Sequence, residues 1–178
     1  MHVRLRFKLC ISGSLIPYSK LLMALTLPSD CNSKLLLGFD YWQRQHHPDG
    51  RLPGRQDIDP VDLRSILACL CLYDVQADPL RFRYRLIGTD AVAKIEEDFT
   101  GRWLDEVHPT FKSSDAYADF TGVSLRRQPL AYYRGPPLFH TYKKYVTLER
   151  LLLPLARDGN TVDMMLAINV YHPASRAG

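Results

Sequence analysis

The spacing of apolar positions divides the chain into elements. From Leu80 to Leu86, the apolar residues Leu80, Phe82, Tyr84 and Leu86 alternate with Arg81, Arg83 and Arg85. A period of two puts the two sets on opposite faces of a β-strand. The apolar run 66-ILACLCLYDV-75 predicts a preceding strand from about Leu70 to Val75, and 77-ADP-79 turns the two into a hairpin that ends at Gly88. Upstream, Leu35, Leu36, Phe39, Trp42 and Gln43 recur at helical spacing and predict a helix from about Lys34 with an apolar stripe. Asp-Gly and Pro-Gly mark residues 46–57 as a loop. Asp59 at an N-cap and Pro60 at a first helical position then predict a short helix with Leu63, Ile66 and Leu67 on its apolar side.

Beyond the hairpin the period becomes helical. Thr89 or Asp90 can cap a helix over 91–98, Thr100-Gly101 separates it from a helix over 102–107, and a third runs from about Ser113 to Arg127 with Tyr117, Phe120, Val123 and Ser124 on one side. Three strands follow, over 129–135, 142–156 and 162–171, the last two joined by the hairpin turn 157-RDGN-160. Gly88 and Gly101 read as conformational residues where the chain reverses. This order predicts an α+β domain: a five-stranded antiparallel sheet with short helices packed on one face, closing a cavity, and an N-terminal flanking helix. The domain is expected over 35–172, with 1–34 a poorly ordered extension and 173–178 a tail.

Composition narrows the class. A chain of 178 residues, 46% hydrophobic and 24% charged, is ordinary for a soluble globular protein. The net charge of +4 is spread over both halves, without the basic patch of a nucleic-acid binder. Arg4, Arg6 and Lys8 precede an apolar stretch that superficially resembles a secretory signal, but Ser12, Gly13, Ser14 and Pro17 interrupt it. The longest apolar run there, 21-LLMAL-25, is too short to span a bilayer. A leader, or a start placed upstream of the true one, and a cytoplasmic location are the expectations. Cys10, Cys31, Cys69 and Cys71 form no metal-ligand or CxxC pattern and read as free thiols in a reducing compartment.

The strand–strand–helices–three-strand order, with the segments 59-DPVDLRSILACLCLYDV-75, 80-LRFRYRLIGTDAV-92, 99-FTGRWLDEV-107 and 149-ERLLLPLARDG-159, resembles the PAS domains, and within them a family of small bacterial PAS-like proteins. The resemblance runs from about Leu35 to Tyr171. It implies a sensory or ligand-binding role, with a small molecule held between sheet and helices, or dimerisation through the sheet surface and flanking helix. It supplies no settled ligand, so the cofactor is unknown. Fewer than ten residues follow Tyr171, so output is expected to pass through a separate signalling protein.

The candidate ligand-binding residues are Tyr84, Arg85, Trp103, Tyr117, Tyr133 and Glu149. Trp103, Tyr117, Phe120, Tyr132 and Tyr133 would wall a cavity, and Tyr84 and Tyr133 would offer hydroxyls. Arg85 would reach an anion at the cavity mouth; the competing reading leaves Arg81 and Arg83 solvated and pairs Arg85 with Glu149. Glu149 with Arg150 reads as a cross-strand ion-pair element rather than an acid–base site. For haem, His108 or His140 would have to serve as axial ligand, although a lone histidine is more often a surface or capping residue. A cysteinyl-flavin site needs a cysteine among the central helices, whereas Cys69 and Cys71 fall in the first strand. His46-His47 lacks further metal ligands nearby.

No catalytic motif is present, and no enzymatic activity is expected. The expectation is a stand-alone sensory or ligand-binding module, dimeric through the stripe Leu35, Leu36, Phe39 and Trp42. A protein-interaction adaptor with a core filled by Trp103, Tyr84 and Tyr133 is the alternative.

Overall fold

The structure is a computed structural model and describes residues 3–5, 27–125, 130–137 and 146–173. The flanking helix α1 spans Ser33–Arg44, capped by the Asn32 side chain, which accepts from the Lys34 amide at 3.0 Å. Its stripe turns inward: Leu35, Phe39 and Trp42 are buried against strands β5 (Val146–Leu155) and β6 (Met164–Pro173). The Trp42 indole N–H donates to the Pro154 carbonyl at 2.9 Å. Gly38 permits this close approach, since a Cβ there would meet Ile168 at 2.8 Å. The stripe expected to form a dimer contact is thus consumed within the chain, and only Leu36 and Leu37 stay 40% exposed.

The segment after Asp59 is not an α-helix. Asp59 does cap it, accepting from the Val61 amide at 2.8 Å, but the bonds that follow run three residues back: Leu63 to Pro60, Ile66 to Leu63, Cys69 to Ile66. A period of three aligns Leu63, Ile66 and Cys69 as buried residues. Leu67 leaves that line and stays exposed.

Strands β2 (Leu70–Gln76) and β3 (Arg81–Ile87) form the expected hairpin, with one irregularity. Leu72 pairs with Leu86 but Tyr73 pairs with Tyr84, so Arg85 is an extra residue on β3. The bulge returns Ile87 to the core face and pushes Leu86 outward, against its place in the alternation. Gly88 has an ordinary φ of −64° and is required for another reason: a Cβ would sit 2.4 Å from the Ala68 carbonyl oxygen. Gly101, at φ +85°, is the conformational glycine.

Helix α2 spans Thr89–Ile95, so Thr89 and Asp90 lie inside it rather than capping it. Helix α3 spans Leu104–Val107, and α4 spans Asp115–Ser124 behind the N-cap Ser114. Arg126 and Arg127, expected in the last helix, lie outside the described residues, as do residues 142–145 of the following strand. Strand β4 is Ala131–Gly135. In the β5–β6 turn the Asp158 carboxylate accepts from the Asn160 and Thr161 amides, with Gly159 at φ +77°.

All five expected strands are present and antiparallel. A sixth, β1 (Val3–Leu5), pairs with β4 and comes from the stretch read as an extension, whose residues 6–26 are outside the described set. The sheet order is β1-β4-β5-β6-β2-β3. Helices α2 to α4 cover one face and α1 the other, so strand β5 is enclosed from both sides and Leu151, Leu152, Leu153 and Leu155 are fully buried.

Candidate functional site

The alternation of β5 decides what reaches each face. Leu148 and Arg150 point toward α2–α4, while Glu149 and Leu151 point toward α1. Arg150 stands directly across from Asn169 on β6, and with Cys71, Tyr73, Tyr84 and Tyr171 they line a cleft between sheet and helices. Its volume is about 30 Å³, room for little more than a water molecule.

Polar atoms in an otherwise apolar position give the cleft its character. The Arg150 side chain is 5% exposed; its Nη2 donates to Asp119 Oδ2 of α4 at 3.2 Å, and its guanidinium carbon lies 5.3 Å from the Phe120 ring centre and 5.2 Å from that of Tyr133. Arg150 Nε has no hydrogen-bond partner among the described residues. Asn169 donates from Nδ2 to Cys71 Sγ at 3.2 Å, and its Oδ1 is likewise without a partner. Buried polar atoms are nearly always hydrogen-bonded, so two orphans on facing residues call for an explanation. Tyr84 closes another side, its hydroxyl 2.9 Å from His108 Nε2. Burial lowers the His108 pKa to about 4, which keeps the ring neutral near pH 7, and burial raises the Tyr73, Tyr84 and Tyr171 hydroxyls.

A second recess of about 240 Å³ lies on the other side of Arg150, bounded by Thr110, Ser114, Asp115, Tyr133 and Pro136. The Tyr133 hydroxyl there donates to the Pro136 carbonyl at 2.7 Å. Arg150 and Leu148 form the wall between the two spaces.

The residues singled out from sequence are dispersed. Tyr84 lines the cleft and Tyr133 the recess. Tyr117 belongs to an aromatic cluster, its ring 5.4 Å from Phe111 and 6.3 Å from Phe82. Trp103 pairs with the edge of β3 and stacks under Arg81, whose guanidinium carbon is 4.3 Å from the ring centre, so it walls neither space. Arg81 and Arg83 are not left to solvent: Arg81 holds Asp105 and Glu106, and Arg83 holds Asp74, each at 2.7–2.8 Å. Arg85, the bulge residue, is exposed. It cannot pair with Glu149, because β6 and β2 separate their strands; three strand spacings amount to ~14 Å.

Glu149 is 1% exposed and serves the opposite face. Its Oε1 accepts from the Asn32 amide at 2.7 Å and the Tyr132 hydroxyl at 3.1 Å, with Arg134 at 3.4 Å; His172 Nε2 lies 3.0 Å from Oε2. Its cross-strand partner is therefore Arg134, not Arg150, since adjacent residues on a strand face opposite ways. Tyr132 shares that face and leaves the cavity to Tyr133. The Nε2 of His108, the described haem candidate, is occupied by Tyr84, and His140 lies outside the described residues.

Arg150, Asn169, Tyr73 and Tyr171 were not among the sequence candidates. A signal existed for one of them: Asn169 is the single polar residue in the run 164-MMLAINV-170, otherwise apolar on both faces, whereas Arg150 follows Glu149 at the edge of the apolar run 151-LLLPL-155 and carries no such mark.

An antiparallel sheet with short helices on one face, a flanking helix on the other and a polar cleft beneath the short helices is the arrangement of a PAS domain. A family model described as PAS domain matches residues 31–169, and the chain belongs to that family. No curated protein and no solved structure matches it. Among the described residues no helix is long and apolar enough to cross a membrane.

Proposed function

We propose that the chain is a sensory PAS module that holds a small polar guest against Arg150 and Asn169 and passes its occupancy to a separate signalling protein. The observation that carries this reading is the facing pair of orphaned buried atoms, Arg150 Nε and Asn169 Oδ1. A guest that satisfies both must accept one hydrogen bond and donate one. An amide, a protonated carboxylic acid or a hydroxyl compound does so. A bare anion is disfavoured, because Asp119 already balances the Arg150 charge. The cleft takes only the polar head of such a guest, and its remainder reaches the larger recess by displacing the Arg150 and Leu148 side chains that wall the two spaces apart. Tyr84 and Tyr133 are the hydroxyl-bearing walls. Free Cys31, Cys69 and Cys71 suit a cytoplasmic setting, and the reading requires no catalysis, nucleic acid or membrane.

One observation favours a second reading. The narrowness of the cleft, crowded by Tyr73, Tyr84 and Tyr171, suits an adaptor whose core is its own side chains. In that case Leu36 and Leu37 on α1 supply the contact with a partner or a second copy.

Native mass spectrometry of freshly purified protein separates the two. The sensor reading expects a non-covalent small-molecule mass on the wild type that is lost in Arg150→Met/Asp119→Leu, which removes the charge pair together. A wild type carrying no such mass, but forming a dimer that Leu36→Glu/Leu37→Glu dissociates, would establish the adaptor instead.

A further inference from the structure

Away from the cleft, three elements meet at one sulfur. Lys34 in the first turn of α1 places Nζ 3.3 Å from Cys69 Sγ, and the Cys69 thiol donates to Asp90 Oδ2 of α2 at 3.1 Å. Lys34 Nζ and Asp90 Oδ2 are 4.0 Å apart. Cys69, at the end of the 3₁₀ turn leading into β2, is 2% exposed, while the Lys34 and Asp90 side chains are 43% and 47% exposed. The sulfur is therefore screened from bulky reagents, while the amine and carboxylate that touch it reach solvent. Cys71 offers no alternative partner. Cys71 lies only two residues further along the chain, in β2, a poor disulfide spacing, and it is engaged by Asn169. The nearest group able to trap an oxidised Cys69 is the Lys34 amine.

We propose that Lys34 and Cys69 form a reversible covalent N–O–S bridge when the protein is exposed to dioxygen, fastening α1 to the start of β2. The balance is one thiol, one amine and one dioxygen giving one bridge and one water. The S–H bond, one N–H bond and the O–O bond break, and S–O and O–N bonds form. Sulfur and nitrogen each lose two electrons, and dioxygen takes up the four. One oxygen atom stays in the bridge and the other leaves as water. Asp90 is placed to receive the thiol proton, and the surplus proton of the Lys34 ammonium passes to solvent. A single inserted oxygen leaves nitrogen and sulfur closer to their present separation than a direct N–S bond would, so α1 and the turn need only a small approach. Dithiol reductant returns thiol, amine and water. The bridge extends the reversible steps open to a cysteine that has a nitrogen nucleophile at hand.

The test is peptide and intact mass mapping of the full chain after air exposure without reductant. The expected result is a mass gain of one oxygen less two hydrogens, with the peptides containing Lys34 and Cys69 joined, and reversal by dithiothreitol. Lys34→Arg, which keeps the cation, and Cys69→Ser should each abolish the joined peptide, and their wild-type-like melting would exclude misfolding as the cause. Amide exchange over residues 33–44 should slow in the bridged form. The proposal is overturned if Cys69 reaches only a dimedone-reactive sulfenic acid or a sulfinic acid with Lys34 unmodified, if the joined peptides lack the oxygen, or if the mass does not change.

Discussion

His108 shows how a single buried residue sets a measurable property. The ring is 6% exposed, and burial lowers its pKa from 6.5 to about 4. Above pH 6.5 both folded and unfolded forms are neutral, and the residue leaves stability independent of pH. As pH falls below 6.5 the unfolded chain takes up a proton that the folded chain refuses, so stability is lost until the folded pKa is passed. The loss is ~1.4 kcal/mol per pH unit, or about 2 kcal/mol between pH 7 and pH 5. Urea midpoints should show that decline in the wild type and a much flatter profile in His108→Gln; equal slopes would mean that His108 is not the titrating group. Arg150 poses the complementary case. Arg150→Ala takes the cation away from the buried Asp119 carboxylate and should cost roughly 3–5 kcal/mol, the usual size of breaking a buried ion pair, whereas Arg150→Met/Asp119→Leu should fall near the wild type. If denaturant melts rank the double variant below the single, the pair is a net contributor to stability and not merely a costly one to break.

Among elements, those with a long, unambiguous period are legible in sequence. Helix α1, the β2–β3 hairpin, α4 and the final strand pair all lie within a few residues of their expected places. What escapes is geometry with no compositional mark. The Arg85 bulge is invisible in the alternation of LRFRYRLI, yet it alone moves Leu86 outward and Ile87 inward. The three-residue bonding after Asp59 is hidden because the N-cap grammar of an α-helix and of a 3₁₀ turn is the same. The candidate site suffers most, since which side chains share the cleft depends on the order of strands in the sheet, and spacing along the chain does not report that order. Helix α1 also changes status, from a free dimer stripe to part of the core. Trp42→Ala should therefore cost about 3–5 kcal/mol in denaturant unfolding; a loss of dimer without a loss of stability would reverse that assignment. Gly88→Ala should be similarly severe for its size, because the added methyl meets backbone oxygens of Ala68 and Leu70 rather than a side chain that can turn away. A near-neutral melting shift would show that the turn into α2 relaxes.

Across the molecule, β5 connects the two faces. Arg150 anchors the cleft and its neighbour Glu149 holds the start of α1 through the Asn32 amide, so one peptide unit joins a proposed guest site to the flanking helix. Adjacent residues on a strand cannot move independently: a guest that twists β5 at Arg150 must also displace the carboxylate at Glu149. The Glu149 cluster is suited to register such a shift, because a buried carboxylate surrounded by Arg134, His172, Tyr132 and a backbone amide has few equivalent arrangements. Glu149→Gln keeps the shape and removes the charge. It should weaken the hold on α1 while leaving the hairpin and the central strands intact. Hydrogen exchange should then quicken over residues 33–44 and remain slow over Leu70–Gln76 and the buried part of β6. A uniform acceleration over all these elements would make Glu149 a general stability residue, and no acceleration in α1 would remove the connection between the two faces.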